Sequence, residues 1–148
     1  MASLGIPGMR VLLFAFGEDH PAHPDLPRNY VENCVAYTGT HDNNTARGWF
    51  EKEALPAERE RLSRYLGKSV AAETVHLELV RLVMESTAAA AVIPMQDILG
   101  LGEEARMNRP AVPHGNWEWR LLRAQISRSV AEALAGMTEG CGRAPRTP

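Results

Sequence analysis

The sequence predicts an α/β fold organised around a parallel sheet. Three apolar runs of strand length, at residues 9–16, 34–38 and 88–94, alternate with segments of helical periodicity. Such alternation is typical of parallel sheets with helical crossovers. Polar side chains follow the second and third runs, in the position where active-site groups lie in parallel α/β proteins.

Each predicted strand rests on its own pattern. The first, MRVLLFAF at residues 9–16, is almost continuously apolar, as is typical of a strand buried on both faces. The second, CVAYT at residues 34–38, combines β-branched and aromatic residues. The third reads AAAAVIP at residues 88–94, and its alanines are also compatible with a continuing helix. The Ser-Thr pair at residues 86–87 interrupts that helix, so we predict a strand.

Two helices are predicted between the second and third strands on the basis of their end signals. The first spans residues 45–52, with Asn43 or Asn44 as its N-cap. The second spans residues 56–66, because it has proline at its first position and glycine just past its end.

Two further helices are predicted from apolar periodicity. Residues 70–85 carry apolar side chains at three-and-four spacing along one face, with acidic and basic residues on the remainder. Residues 121–137 show the same spacing through Leu122, Ile126, Val130 and Leu134.

Proline and glycine mark the irregular segments. Three prolines predict a long surface loop over residues 17–33, and repeated glycines and prolines predict irregular structure over residues 96–119. The segment 138–148, rich in Gly, Arg and Pro, predicts a disordered tail.

Composition limits the classes of protein to which the chain can belong. Its 148 residues allow one domain, with 45% hydrophobic residues and a formal net charge of −2. That charge offers no electrostatic footprint for nucleic acid or anionic lipid, and no apolar stretch approaches the ~20 residues of a membrane span. The two cysteines lie far apart, and neither has a neighbour at metal-site spacing. We therefore expect a cytoplasmic protein with no metal and no cofactor.

The strongest functional candidates lie in TGTHDN, at residues 38–43, after the second predicted strand. Asp42 alone has an alternative interpretation as a helix N-cap, and His41 alone as a structural hydrogen-bonding group. The His-Asp pair at a strand end favours a functional site over both. A second polar block runs from Gln96 and Asp97 to Asn108, after the third predicted strand.

Other candidates are weaker. The spacing of His20 and His23 suggests a pair of metal ligands, but the surrounding prolines prevent a helix that would carry both on one face and favour a solvated loop. Trp49, Trp117 and Trp119 could stack on sugar faces, although core packing is the alternative for at least one of them.

Three long segments carry a resemblance to a known family. These are MRVLLFAF, PRNYVENCVAYTGTHDNNTARGWF and AAVIPMQDILGLGEEARMNRPAVPHGNWEWRL. Together they resemble the C-terminal third of the 4-α-glucanotransferases of the amylomaltase or disproportionating-enzyme family. The resemblance covers about residues 5 to 137.

The resemblance implies a fold and a reaction. Residues 1–137 are expected to form about strands six to eight, with their helices, of an incomplete (β/α)₈ TIM barrel. The implied reaction is retaining transfer of an α-1,4-glucan segment to a 4-hydroxyl of glucose or a maltodextrin. Asp42 is then the transition-state stabiliser, and His41 hydrogen-bonds to a hydroxyl of the same sugar. Asn108, Gln96, Asp97 and Trp117 are implied to contact the maltooligosaccharide.

Departures from the family pattern leave three alternatives open. By family order, the nucleophile Asp and the acid/base Glu belong to barrel portions that precede these segments, so neither position is expected in this chain. Ala111 and Val112 stand where the family commonly has Gly-Thr, which removes a residue suited to a positive φ. The chain is therefore a fragment that needs the N-terminal barrel portion as its partner, a non-catalytic glucan-binding remnant, or a truncated gene product without a stable fold.

Overall fold

A three-stranded parallel sheet lies at the centre of the chain. The computed structural model describes residues 5–145. Its strands are β1 (Gly8–Val11), β2 (Cys34–Tyr37) and β3 (Ala90–Val92), and their spatial order is the same as their chain order. The prediction of an α/β fold with parallel strands is confirmed.

The first predicted strand is correct only in its first half. β1 ends at Val11, and the apolar run continues as a 3₁₀ turn over Leu12–Phe16. A continuously apolar segment does not distinguish a buried strand from a buried helical turn, because both hide every side chain. Leu13 N still donates to Thr38 O at 3.2 Å, so the turn stays attached to the end of β2.

The helix after β2 lies where it is predicted but has a different cap. α1 (Ala46–Gly48) runs directly into a π-helical turn over Trp49–Glu53. Its N-cap is Thr45, whose hydroxyl accepts from Gly48 N at 2.9 Å. The predicted caps are engaged elsewhere, since Asn43 Oδ1 accepts from Thr40 N and Asn44 Oδ1 from Thr45 N.

Two long helices cross from the end of β2 back to the start of β3. α2 (Pro56–Leu66) has the predicted bounds, with Gly67 past its end at φ 69°. α3 (Val75–Glu85) ends as predicted but begins five residues late. The preceding residues form a turn instead, in which Thr74 N donates to Ala71 O at 3.1 Å.

The C-terminal region differs from its prediction at both ends. A single helical turn, α4 (Met95–Ile98), follows β3 within the segment predicted to be irregular. α5 (Arg128–Gly140) begins late because Ser127 caps it, and it extends into the predicted disordered tail. Arg143 of that tail donates to Met84 O at 2.6 Å, and residues 146–148 lie outside the described residues. None of the described helices is long and apolar enough to cross a membrane.

Among the described residues, the helices cover one face of the sheet. Cys34 and Ala36 pack beneath the helices in a core that includes Phe16, whose ring centroid lies 6.3 Å from that of Trp49. The opposite face carries Met9 and Val92, which are 60% and 45% exposed. β1 and β3 are both edge strands in the described part of the chain. In the described part of the chain the sheet therefore has an exposed apolar face between two open edges.

Candidate functional site

A tight turn at the end of β2 presents the His-Asp pair. Asn43 Oδ1 accepts from Thr40 N at 2.8 Å and from Thr40 Oγ1 at 2.9 Å, and Asn43 N donates back to Thr40 O at 3.1 Å. Asparagine favours such turns because its side chain can replace a backbone partner. The side chains of His41 and Asp42, at the tip, are 56% and 50% exposed.

The segment after β3 joins this turn directly. Asn108 N donates to His41 O at 3.1 Å, and Asn108 Nδ2 donates to Asp42 Oδ1 at 2.6 Å. The structure thus brings together three of the predicted site residues, which belong to loops at the ends of two neighbouring parallel strands. One Asp42 oxygen is held by the amide, so the direction of the carboxylate is set.

Arg106 links the same two loops and was not among the predicted site residues. Its guanidinium donates to Asp42 O at 2.9 Å, to Asn108 O at 2.9 Å and to Glu53 Oε1 at 2.6 Å. A planar guanidinium can make several directed hydrogen bonds at once, which a lysine cannot reproduce. The proximity of Arg106 to Asn108 in the polar block was the available signal, but a single arginine is most often a solvated surface residue.

Trp117 packs beside His41. Their ring centroids are 5.1 Å apart, and His41 Nε2 lies 3.4 Å from Asp42 Oδ1. Trp117 N donates to Met107 O at 2.7 Å, and the residue has a φ of 64°. A left-handed backbone is uncommon for a bulky side chain and often marks a functional position. The indole is 51% exposed, so it offers an open aromatic surface next to the imidazole.

Asp97 lies beneath the site, not at its surface. It is 1% exposed; Oδ2 accepts from Thr38 Oγ1 at 2.5 Å and Oδ1 accepts from Ala46 N at 2.7 Å. Burial raises the pKa of this carboxyl, and the two hydrogen bonds oppose part of that rise. Asp97 borders the same cleft as Gln96 but has almost no exposed surface, so the glucan contact that the resemblance implies stays a prediction.

Gln96 is also largely buried but borders open space. Its Nε2 donates to Ala105 O at 3.2 Å. It lines a cleft of about 170 Å³ together with His41, Arg106 and Met107. On the other side of the turn, Asp42 borders an open depression whose floor includes Met9 and Val92 of the exposed sheet face. The His-Asp turn therefore separates two concave surfaces, and Asp42 belongs to the one above the exposed sheet.

The weaker candidates fall outside this site. His23 Nδ1 accepts from Asp25 N at 3.2 Å, and no group of three or more His, Cys, Asp or Glu side chains within residues 5–145 could hold a metal ion. Trp49 belongs to the core. Trp117 stacks against His41, whereas Trp119 is partly buried and has no aromatic partner among the described residues.

Fold and site together define a class of protein. A parallel α/β segment with polar and aromatic groups at the carboxyl ends of its strands is typical of barrel enzymes. A family model described as 4-alpha-glucanotransferase matches residues 1–125. The chain belongs to this family, whose members are transferases, and the predicted resemblance is confirmed.

Individual relatives support the same assignment. The chain is 46% identical to the 4-alpha-glucanotransferase of Thermus thermophilus over 145 residues, which cover 94% of this chain and 29% of the relative. It is 52% identical to that of Aquifex aeolicus over 116 residues, covering 78% and 23%. The amylomaltase of Streptococcus agalactiae in complex with acarbose matches with a TM-score of 0.87 and 30% identity, over 96% of this chain and 28% of that one. The chain thus spans between a quarter and a third of most of these proteins.

Proposed function

We propose that this chain supplies the sugar-holding part of a retaining 4-α-glucanotransferase active site. The observation that carries the proposal is the hydrogen bond from Asn108 to Asp42, which orients a half-exposed carboxylate at the carboxyl end of a parallel sheet. Its free oxygen is available to accept hydrogen bonds from sugar hydroxyls. The proposed substrates are α-1,4-glucans and maltooligosaccharides, with glucose or a maltodextrin as acceptor.

Asp42 has a defined role in this chemistry. Retaining transfer passes through oxocarbenium-like transition states, in which hydrogen bonds to the sugar 2-hydroxyl tighten and contribute several kcal/mol. Asp42 accepts these bonds without forming a covalent bond to the sugar. Its negative charge also disfavours ionisation of a nearby acid/base Glu, which must begin the reaction protonated.

The neighbouring groups complete the sugar contact. His41 donates a hydrogen bond to a hydroxyl of the same ring, while the indole of Trp117 covers an apolar sugar face. Asn108 holds Asp42, and Gln96 borders the cleft on the far side of His41. Apolar surfaces of this kind exclude water, which favours transfer to a sugar acceptor over hydrolysis.

The nucleophile and the acid/base group are proposed to come from a preceding barrel portion. In this proposal β1, β2 and β3 are strands six to eight of a (β/α)₈ barrel. The exposed face that carries Met9 and Val92 supports it, because a barrel interior is packed with side chains from all strands. The reaction itself needs only carboxylates, so no cofactor is invoked.

Reconstitution tests this function. The chain is joined to the preceding portion of the Thermus thermophilus relative, and disproportionation of maltotriose is followed by chromatography. We expect glucose and longer maltooligosaccharides, and neither half alone should produce them. A chimera that folds, as judged by circular dichroism and cooperative melting, but leaves maltotriose unchanged would contradict the proposal.

A non-catalytic glucan-binding role is the second candidate. It is favoured by one observation: His41, Asp42, Asn108 and Trp117 assemble within this chain without any group from elsewhere. Saturable binding of maltotetraose to the isolated chain, combined with an inactive chimera, selects this role. Poorly dispersed amide resonances from the isolated chain select the third alternative, a product without a stable fold.

A further inference from the structure

We propose that Asp97 is a positioning residue that anchors the His-Asp turn from below and thereby sets the direction of Asp42. This inference rests on the proposed function of Asp42, since positioning matters only if that carboxylate meets a sugar. It assigns to Asp97 a role different from the sugar contact that the sequence implies.

The geometry of the anchor is specific. The carboxylate of Asp97 accepts hydrogen bonds from Thr38 Oγ1 at 2.5 Å and from Ala46 N at 2.7 Å. Thr38 immediately precedes the turn and Ala46 begins α1 after it. Both ends of the intervening segment, residues 39–45, are therefore attached to a single side chain that lies 51 residues or more away in sequence.

The turn has little freedom to absorb a shift at its ends. Gly39 lies so close to its neighbours that an added Cβ would stand 3.1 Å from Leu13 Cδ1 and 3.2 Å from Asn43 Cβ. Asn43 in turn closes the turn through Thr40. A movement of Thr38 or Ala46 is consequently transmitted to His41 and Asp42, because the segment between them is packed and hydrogen-bonded.

Burying a carboxylate costs free energy, and the presence of one at position 97 is consistent with a role in positioning the turn. An unpaired buried charge is strongly unfavourable, whereas both oxygens of Asp97 have donors. An apolar side chain of similar size would fill the space but would leave Ala46 N and Thr38 Oγ1 without partners. The second anchor of the turn, Arg106, also belongs to the segment after β3, but it bonds to Asp42 O and does not replace either bond.

The test compares Asp97→Ala with Asp97→Asn in the whole chain. Asparagine keeps an acceptor for Ala46 N and can donate to Thr38 Oγ1, so it is the conservative rescue. Two readouts are used: amide hydrogen exchange, and maltotetraose affinity by calorimetry. The amides of Thr40 and Asn43 are diagnostic because they donate to each other's residues and not to Asp97, and those of Val80 and Val83 in α3 report on the core.

We expect exchange at Thr40 and Asn43 to accelerate about tenfold or more in Asp97→Ala, with affinity reduced to a similar extent and protection in α3 retained. Asp97→Asn should recover most of both. Unchanged exchange at the turn would overturn the proposal, as would an equal loss of protection in α3, which would make Asp97 a general stability residue.

A second variant covers the case in which Asp97→Ala does not fold. Thr38→Val removes one arm of the anchor and keeps the side-chain volume, while Thr38→Ser keeps the hydroxyl. We expect the valine variant to accelerate exchange at Asn43 and the serine variant to leave it near the wild-type rate; equal rates would overturn the proposal. The proposed function is decided separately by the maltotriose chimera, so if that test fails, the exchange data still decide whether Asp97 anchors the turn.

Discussion

Asn108 Nδ2 donates to Asp42 Oδ1 at 2.6 Å across 66 residues of sequence, and this bond joins the loops that follow two parallel strands. It leaves the second carboxylate oxygen of Asp42 free while removing rotational freedom from the side chain. A half-exposed aspartate is ordinarily mobile, so ordering it before a sugar arrives lowers the entropy cost of binding. The predictions below follow from this arrangement and from the residues that support it.

Asp42→Asn should lower turnover strongly with a modest change in KM when the chain is combined with the preceding barrel portion. The amide loses the charge that strengthens hydrogen bonds in the transition state, and a loss of several kcal/mol corresponds to about 10²-fold or more in kcat. Steady-state kinetics on maltotriose provide the measurement. The control is Asp19→Asn, which removes an acid that pairs with Arg64 instead. Equal turnover in wild type and Asp42→Asn would refute the role.

Asn108→Asp should weaken maltotetraose binding more than Asn108→Ala does. The new carboxylate would stand next to Asp42 Oδ1, where two negative charges repel each other. Alanine removes the orienting bond without adding a charge. Calorimetric titration at neutral pH compares the two variants, and a tighter complex with Asn108→Asp would contradict the assigned geometry.

Arg106→Lys should loosen the contact between the two loops. Lysine keeps the charge but cannot reach Asp42 O, Asn108 O and Glu53 Oε1 together. We expect faster amide exchange at Asn108, whose N–H bonds to His41 O, and weaker maltotetraose binding. The matched control is Arg81→Lys, because Arg81 forms an exposed pair with Glu85 on α3. Equal effects of the two substitutions would argue against a linking role for Arg106.

Ala111→Gly should stabilise the chain. Ala111 has a φ of 65°, a left-handed conformation that costs an L-residue about 1–2 kcal/mol, more than the added chain entropy of glycine. The expected gain is about 0.5–1 kcal/mol in the free energy of unfolding, measured with urea. Ala135→Gly, at an exposed position inside α5, should instead cost about 0.5–1 kcal/mol. Destabilisation by both substitutions would disprove the strain at Ala111.

The buried carboxyl of Asp97 should make the free energy of unfolding depend on pH. Burial raises its pKa in the folded state above the unfolded value of 3.8, so the folded chain binds the proton more tightly. The free energy of unfolding contributed by this group therefore increases as pH falls from above the folded pKa toward the unfolded one. The difference in the free energy of unfolding between wild type and Asp97→Asn, measured with urea, isolates this contribution because asparagine does not titrate. If the wild type loses stability relative to Asp97→Asn as pH falls, the predicted sign is wrong.

The sequence predicted the elements that depend on repeated local signals. α2 has the predicted ends because Pro56 and Gly67 act through their own backbone preferences. The end of β1 was missed because Leu12 to Phe16 are buried, and burial hides the difference between a strand and a tight helical turn. The cap of α1 was missed because three adjacent polar residues could each cap it, and tertiary hydrogen bonds choose among them.

The exposed residues predicted for the site lie close together, whereas Arg106, which links their loops, was not predicted. Asn108 hydrogen-bonds to Asp42 and the ring of Trp117 lies beside His41, while the contact of these residues with a sugar stays a prediction. Asp97 and its neighbour Gln96 are both buried, and sequence spacing along a short helical turn does not reveal that either side chain faces inward. Ala111 stands where the family commonly has glycine, and its backbone has a positive φ.

The exposed sheet face that carries Met9 and Val92 has a thermodynamic consequence. Any polypeptide that pairs with β1 or β3 and covers this face binds the folded form only, so it raises the apparent stability in proportion to the logarithm of its concentration. The melting temperature of these 148 residues then depends on the concentration of the bound polypeptide. Its rise on addition of the proposed barrel portion would measure the affinity between the two pieces.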